Sequence, residues 1–346
     1  MFDDLQRIAV VGMFDGVHSG HRYLLDQLRL QAAERSLKPL VITFTNHPLA
    51  VIAPEKAPRL LTSPLEKAAL IRREGFLGDE ILLLPFDEKL RSTSAAGFLG
   101  MLRGRFGCAA LLMGFNNRFG HDAPSDFASY KQLAANAGIE LIQARELPAR
   151  EGVSSSEIRR LIAAGEVADA AALLGRPYSL TGTVVRGKAL GRTLGFPTAN
   201  LHTPSTLILP APGVYAATAT IAPPPFSSGT NPLFSSQASS ETNPGAPFPS
   251  TVASRKASSK AEVSYPAMVN IGSRPTVDDP GAPLSVEAHI IGLPEGTNLY
   301  DCRLTLSLVD RLRSERRFAS LEALRAQLLL DRAAALEALE GLSGKV

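Results

Sequence analysis

The hydrophobic rhythm of this chain changes once, at Gly175-Arg176-Pro177, and that change limits the fold more than any other feature. Upstream, short apolar runs alternate with helical patterns. The runs are Arg7–Gly12, Pro39–Thr45, Glu80–Pro85, Ala109–Gly114 and Glu140–Glu146. The helical patterns are Gly20–Arg35, Pro64–Glu74, Thr93–Arg105 and Ser125–Ala137, and in the first of them Leu24, Leu25, Leu28 and Ala32 keep an i, i+3/i+4, i+7 spacing. Strands that alternate with helices imply βαβ units and a parallel sheet covered on both faces. Runs such as ILLLP and AALLMG are apolar enough for that burial. Two more helices, Ser155–Ala164 and Val167–Leu174, lead to Gly175, where glycine stops a helix and Pro177 cannot continue it.

Downstream the texture is strand-like. The segments TGTVV, GVYAATATI, AMVNIG, SVEAHII and RLTLSLVDRL, with glycine or proline between them, predict a small antiparallel barrel or sandwich. A last helical pattern covers Ser320–Leu339. Residues 222–262 are rich in Pro, Ser, Thr, Gly and Asn and nearly free of large aliphatics. Burial there does not offset the entropy of ordering, so the stretch is read as a disordered insertion between two strands. As a spacer it costs little through loop closure.

Composition narrows the class. A chain of 346 residues with 45% hydrophobic content holds about two domains with ordinary cores. The net charge is +3 and is spread along the chain, which argues against a dedicated nucleic-acid binder with a concentrated basic face. Two cysteines, Cys108 and Cys302, lie far apart and lack neighbours at metal-ligand spacing. They fit small buried residues in a reducing compartment better than a disulfide or zinc site. Asp3 and Asp4, with no long apolar segment beside them, do not make a signal peptide. No apolar run approaches the roughly 18 residues that span a bilayer. The expectation is a soluble cytoplasmic protein with neither a nucleic-acid nor a membrane partner.

Chemistry concentrates in two places. Leu180–Leu201 reads LTGTVVRGKALGRTLGFPTANL. Its glycines Gly182, Gly187 and Gly191 let backbone approach an anion closely, and Lys188 and Arg192 supply cations. The oxygens of Thr198 and Asn200 suit a hard cation such as Mg²⁺. Together they point to a metal-bound polyphosphate, although the spacing matches neither G-x-x-x-x-G-K-S/T nor G-x-G-x-x-G. The second place is IAVVGMFDGVHSGH at residues 8–21. Here Gly12, Phe14, Asp15 and Gly16 follow a buried strand, and His18 and His21 flank a helix start near Gly20. Ligands of open α/β sheets bind at such strand ends, and free N–H groups at a helix start favour phosphate. Two imidazoles there are placed to donate hydrogen bonds to a phosphate as its charge builds.

Three more clusters fall at the same sheet edge. Thr45-Asn46-His47-Pro48 ends the second strand, and Met113 to Gly120, with Asn116, Asn117 and Arg118, ends the fourth. Ser154-Ser155-Ser156-Glu157 makes a helix N-cap, and Arg159 on its first turn or so, like the serine hydroxyls, is in a position to reach a triphosphate.

With these motifs in this order, the chain resembles the bifunctional prokaryotic riboflavin kinase/FAD synthetase family along nearly its whole length. The run G-x-F-D-G-x-H-x-G-H matches Gly12 to His21, and the serine-rich run matches Ser154 to Arg159. The kinase signature G-x-V-x-x-G-x-x-x-G-R-x-L-G-F-P-T-A-N matches Gly182 to Asn200. Gly213–Ala216, Val269–Thr276 and Val286–Ile290 follow in the family's order.

The resemblance implies a Rossmann-like nucleotidyltransferase-type α/β domain with a parallel sheet over residues 1–176, moving AMP from ATP onto FMN with release of pyrophosphate. It implies an antiparallel β-barrel over residues 177–340 that phosphorylates riboflavin with Mg²⁺–ATP. In the first domain His18 and His21 would meet the ATP phosphates. Gly12, Phe14, Asp15, Gly16, Gly20, Arg118, Ser154, Ser155, Ser156 and Arg159 would complete the ATP site, with Asn46 and His47 toward FMN. In the barrel, Gly182, Gly187, Lys188, Gly191 and Arg192 would wrap ATP, Thr198 and Asn200 would hold Mg²⁺, and Glu287 would be the base for the riboflavin 5′-hydroxyl. Arg313 and Glu315 would lie on the flavin side. Strand alternation puts Glu287 on one face with Ser285 and His289, and Val286, Ala288 and Ile290 on the other.

Three positions depart from the family pattern. Many relatives have an acid where Asn116 or Asn117 stands, Asp301 replaces a usual glycine after Tyr300, and the 222–262 stretch replaces a short connection. Two other readings compete. One makes the first domain a different nucleotidyltransferase, acting on pantetheine phosphate or a cytidylyl substrate; the attached kinase signature argues against it. The other is a flavin-binding regulator without turnover; intact His18, His21, Thr198, Asn200 and Glu287, and the lack of a basic recognition helix, argue against that.

Overall fold

The computed structural model describes residues 6–115, 117–147, 153–187, 190–222, 263–273 and 284–343. Two compact units form, divided between Ser155 and Ser156. In the first, five parallel strands stand in the order β3-β2-β1-β4-β5. They are β1 (Arg7–Val11), β2 (Lys38–Phe44), β3 (Ile81–Leu84), β4 (Cys108–Met113) and β5 (Glu140–Gln143). The strands alternate their side chains between two cores. Ala9, Val11, Leu40, Ile42, Leu111 and Met113 face one, packed on Phe98, Leu99 and Leu102. Ile8, Val10, Val41, Ala110 and Leu112 face the other, packed on Leu25, Leu28 and Ile71. This period of two explains why the strands read as continuous apolar runs: both faces are covered.

Among the described residues this unit has six α-helices: α1 (Ser19–Glu34), α2 (Leu49–Ile52), α3 (Pro64–Arg73), α4 (Glu88–Arg91), α5 (Ala95–Phe106) and α6 (Phe127–Asn136). Their starts are chemically marked. Ser63 and Glu66 form a reciprocal capping box with Pro64 at the first helical position, and Asp87, Ser94 and Asp126 accept the N–H three residues on. Gly107 ends α5 in the left-handed conformation. The short α2 and α4 follow strand ends and have no helical period long enough to be seen in sequence. The strand order reverses between β1 and β4, so the crevice for a ligand lies beyond their carboxyl ends.

The second unit is a closed antiparallel barrel in the order β10-β7-β6-β11-β8-β9. Its strands are β6 (Tyr178–Val185), β7 (Ala199–His202), β8 (Gly213–Ala222), β9 (Val263–Ser273), β10 (Leu284–Ile290) and β11 (Arg303–Ser314). Helices α7 (Ser155–Ala164), α8 (Val167–Leu174), α9 (Leu190–Thr193) and α10 (Leu321–Ser343) accompany them. The apolar side of α10 packs through Ala335, Leu328 and Leu336 against Phe196, Ala216, Met268 and Ile291.

The compact units divide earlier than the expected 176/177, so that α7 and α8 fall in the second unit. Helix α8 packs against β6 and β11 of the barrel. Gly165, in the link between α7 and α8, lies so close to the Tyr215 hydroxyl and Arg311 that a Cβ there has no room. Tertiary packing, which the Gly-Arg-Pro signal does not report, assigns these helices to the barrel. A smaller difference concerns Ala222, which ends β8 rather than opening the insertion. The remainder of the expected insertion, 223–262, lies outside the described residues, as do Asn116, Lys188 and Arg274–Thr276.

Candidate active sites

In the first unit the residues after β1 form a turn with strained backbone. Phe14, Gly16 and Val17 have φ of 47°, 82° and 41°. Phe14 and Val17 are not glycines, so each such conformation costs about 1–3 kcal/mol and persists only where neighbours over-determine it. The neighbours are identifiable. The Asp15 carboxylate accepts the backbone N–H groups of Leu61 and Thr62 and the Thr62 hydroxyl, all at 3.0–3.1 Å. The Thr62 hydroxyl also accepts the Gly16 N–H at 3.2 Å. Ser155 donates to the Asp15 carbonyl at 2.9 Å. Thr43 and Lys67 both donate to the Met13 carbonyl at 2.9 Å.

Phe14 and Asp15 were expected among the ATP contacts. Their side chains are buried and committed to the fold, the ring in the core and the carboxylate on residues 61 and 62. The histidines follow at the start of α1. His18 caps α1, its Nδ1 accepting the His21 N–H at 3.4 Å. The two imidazoles stack at 3.7 Å and 19°, and Phe14 supports His21 from 5.2 Å. Gly20 sits tightly beside the His18 ring, a Cβ there meeting it at 3.2 Å.

Beside this turn lies a cavity of about 790 Å³. Its walls are mainly apolar, from Phe44, Ile52, Phe86, Leu90, Phe98 and Phe119, with Arg91, Arg118 and His121 as the basic groups. Gly12, Met13 and Asn117 reach it from the β1 and β4 ends, and the Asn117 amide donates to the Val11 carbonyl. Asn46 and His47, expected toward FMN, are not among the wall residues. The Asn46 amide exchanges two hydrogen bonds of 2.9 Å with the Phe86 backbone, and His47 Nδ1 accepts the Leu49 N–H. Asn46 ties the end of β2 to the segment after β3, and His47 caps the turn into α2. Ser154 directly precedes α7, Ser156 is exposed on its first turn, and Arg159 lies one turn further along.

In the barrel the polar residues line up across strands. Asn200 on β7 is paired in register with Val185 on β6 and with Glu287 on β10, and Glu287 is paired with Asn270 on β9. Val286, Ala288 and Ile290 are buried in the barrel while Glu287 and His289 are half-buried on the other face, the alternation read from sequence. The loop after β6 comes down on this row: a Cβ at Gly187 would collide with the Asn200 amide. Gly182 faces the His202 carbonyl and Gly191 the Phe196 carbonyl with equally little room.

Two adjoining spaces open here. One, about 920 Å³, is walled by Arg186, Arg192, Thr198, Ile290, Leu293 and Tyr300 among others. The other is a cleft of about 40 Å³ between Gly187, Arg192, Thr198, Asn200 and Tyr300. His289 Nδ1 lies 2.9 Å from the Pro197 carbonyl, so the ring carries its proton there and donates to the residue before Thr198. Burial holds this imidazole below its ordinary pKa, against the raising effect of that hydrogen bond.

Arg313 and Glu315, expected on the flavin side, separate. Arg313 makes a bidentate ion pair with buried Asp331 of α10 at 2.8–3.0 Å. Glu315 rests directly on Gly272, in register with Ser285 and two pairs along from Glu287. The structure places Asp301 at φ 63°, the left-handed conformation that explains a usual glycine, and sets Tyr300 on the wall shared by both spaces.

A parallel α/β unit with a histidine-bearing helix start at its switch point, and a closed barrel whose glycine-rich loop crowds Thr198 and Asn200, fit a two-site nucleotide-dependent transferase. Comparison with known proteins carries this further. Residues 3–157 match the FAD synthetase family and residues 174–339 the riboflavin kinase family. The bifunctional riboflavin kinase/FMN adenylyltransferase of Pseudomonas fluorescens is 34% identical over 95% of this chain and 91% of its own length. That of Escherichia coli K12 is 31% identical over 95% and 92%. A crystal structure from Streptococcus pneumoniae, described as a macrolide-efflux protein, superposes with a TM-score of 0.73 at 26% identity, covering 96% of this chain and 94% of that one. The chain belongs to the bifunctional riboflavin kinase/FMN adenylyltransferase family. It phosphorylates riboflavin to FMN with ATP in its C-terminal part and adenylylates FMN to FAD in its N-terminal part. Among the described residues no helix is long and apolar enough to cross a membrane.

Proposed function

We propose that Glu287 is the kinase base and that His18 and His21 serve adenylyl transfer. The observation that carries the first assignment is the row Val185–Asn200–Glu287, with the Gly187 backbone pressed onto Asn200. Adenosine of ATP takes the larger barrel space, and its phosphates run along Arg192 and Thr198 into the cleft. Riboflavin presents its 5′-hydroxyl to Glu287, which accepts the proton as the oxygen attacks the γ-phosphorus, the β–γ bridging P–O bond breaks and ADP leaves. The donor set fits Mg²⁺: the Thr198 hydroxyl and Asn200 amide oxygens are hard ligands, crowded by a loop that leaves no room for a Cβ. When bound, the ion neutralises the charge of the phosphates. Thr198 is kept in place by His289 through Pro197.

In the first unit the turn offers backbone to ATP and the histidines offer N–H groups. His18 uses Nδ1 as an acceptor, so its neutral ring carries the proton on Nε2, which we assign as a donor to a phosphate oxygen. The FMN phosphate attacks the α-phosphorus, pyrophosphate leaves, and charge building on the phosphate oxygens is met by these donors. The 790 Å³ aromatic-walled cavity takes the isoalloxazine ring, with Arg91 and Arg118 toward the FMN phosphate. The same reading places the enzyme in the cytoplasm, where Cys108 and Cys302 stay reduced.

The test separates the two halves. Glu287→Gln abolishes FMN formation from riboflavin, ATP and Mg²⁺ while FAD synthesis from supplied FMN survives, and His21→Ala does the reverse, both read by chromatography of the flavins. Equal loss of both activities in either variant overturns the assignment.

A further inference from the structure

Lys67 is a buried cation that neither half-reaction uses directly. It is 1% exposed, on the same face of α3 as Ala68 and Ile71. Its ammonium donates to the Met13 carbonyl at 2.9 Å and to the Phe44 carbonyl at 2.6 Å. Met13 lies in the turn after β1, and Phe44 is the last residue of β2. Both residues also line the 790 Å³ cavity. A charge removed from water to this degree is costly unless its hydrogen bonds are in place, so the position needs a reason other than stability.

The reason lies in what the segment around Lys67 grips. Leu61 and Thr62 hold Asp15 and Gly16, and Lys67, five residues on from Thr62, holds Met13. Residues 61–67 thus grip the positive-φ turn on both sides of Phe14, and Thr43 supplies a second donor to the same Met13 carbonyl. A turn that is strained at Phe14 and Val17 relaxes unless it is held in this way.

We propose that Lys67 is a positioning residue for adenylyl transfer, fixing the ends of β1 and β2 so that the ATP-side turn and the flavin-side cavity keep one geometry. The inference rests on the reading that this turn and the His18–His21 pair serve ATP. Lys67 touches no reacting atom. It acts through the Met13 and Phe44 carbonyls.

The test uses the full chain, with the kinase reaction as internal control. Lys67→Met keeps the stem and removes the donors. FMN adenylylation is expected to fall by about 10- to 100-fold in kcat/KM, most of it in kcat, the range for a small misplacement of reacting groups. Riboflavin phosphorylation stays within about twofold of the parent, and Lys67→Gln, which keeps a shorter, neutral N–H donor group, recovers part of the loss. Thr43→Val removes the other donor to Met13. If both residues act through that carbonyl, the double variant loses less than the product of the single losses, and the loss stays confined to adenylylation, which a general loss of stability does not produce. Should Lys67→Met fail to fold, Lys67→Gln and Thr43→Val decide the matter. Unchanged adenylylation in the folded variants overturns the proposal, as does independent, multiplicative loss. His21→Ala separates this from the underlying reading. If it leaves adenylylation intact, the reading of the turn fails; if it abolishes adenylylation while the Lys67 variants remain active, only the positioning role fails.

Discussion

At the scale of single residues, the cost of holding the adenylyltransferase turn falls on Lys67. Burial pushes its ammonium down to about 8 from an ordinary 10.5, against the opposing pull of the nearby Asp15 carboxylate. The unfolded chain therefore binds that proton more tightly than the folded one, and stability attributable to this residue rises with pH across the window from about 8 to 10.5. The gap between 10.5 and about 8 corresponds to roughly 3 kcal/mol, carried as a penalty below pH 8 and relieved above it. Lys67→Met has no such titration. Its stability relative to the parent, measured as a difference in denaturation midpoint at matched pH, should fall steadily as pH rises through that window. A difference that stays flat contradicts the burial of a charged lysine. Nothing in the spacing of PLEKAALIRR assigns this residue a task, although its place on the stripe with Ala68 and Ile71 is the signal that sets it apart from Arg72 and Arg73, which lie off that stripe.

Among the elements, the kinase site depends on the β6–β7 loop lying on the β7 side chains. Gly187 is where the two meet, since any Cβ there collides with the Asn200 amide. Gly187→Ala must either lift the loop or swing Asn200 away from its place opposite Glu287. We expect a kinase loss of about 10-fold or more with FMN adenylylation unchanged, because a small displacement at a phosphate site is expensive and the change is confined to the barrel. Retention of full kinase activity would show that the loop is free to shift without consequence.

Sequence made this part of the site legible because glycine spacing records backbone proximity, and strand alternation records which face Glu287 shares. It is silent on the partners that polar residues at strand ends find within the fold. Asp15, Asn46, His47 and Arg313 all carry ligand-type groups, and each also bonds within the chain, to residues 61–62, Phe86, Leu49 and Asp331. A sequence motif does not distinguish a carboxylate aimed at a ligand from one aimed at a backbone N–H 46 residues away. The placement of α7 and α8 was hidden for a related reason: helical period shows that a helix has an apolar side and not which core receives it.

For the whole molecule, the two reactions are sequential, and each is assigned to residues of a different compact unit: His21 in the first, Glu287 in the second. FMN leaves the barrel as product and enters the α/β unit as substrate. If each site is complete without catalytic groups from the other unit, a chain lacking one activity should be rescued by a chain lacking the other. We expect an equimolar mixture of the Glu287→Gln and His21→Ala proteins to convert riboflavin to FAD in the presence of ATP and Mg²⁺. Neither variant does so alone. Because FMN must pass between molecules through solution, FAD should appear after a lag during which free FMN accumulates, and added FMN should remove the lag. Chromatography of quenched samples over time resolves the three flavins. A mixture that accumulates FMN but never FAD would mean that adenylylation accepts FMN only from the barrel of its own chain, and the two sites would then have to be treated as one.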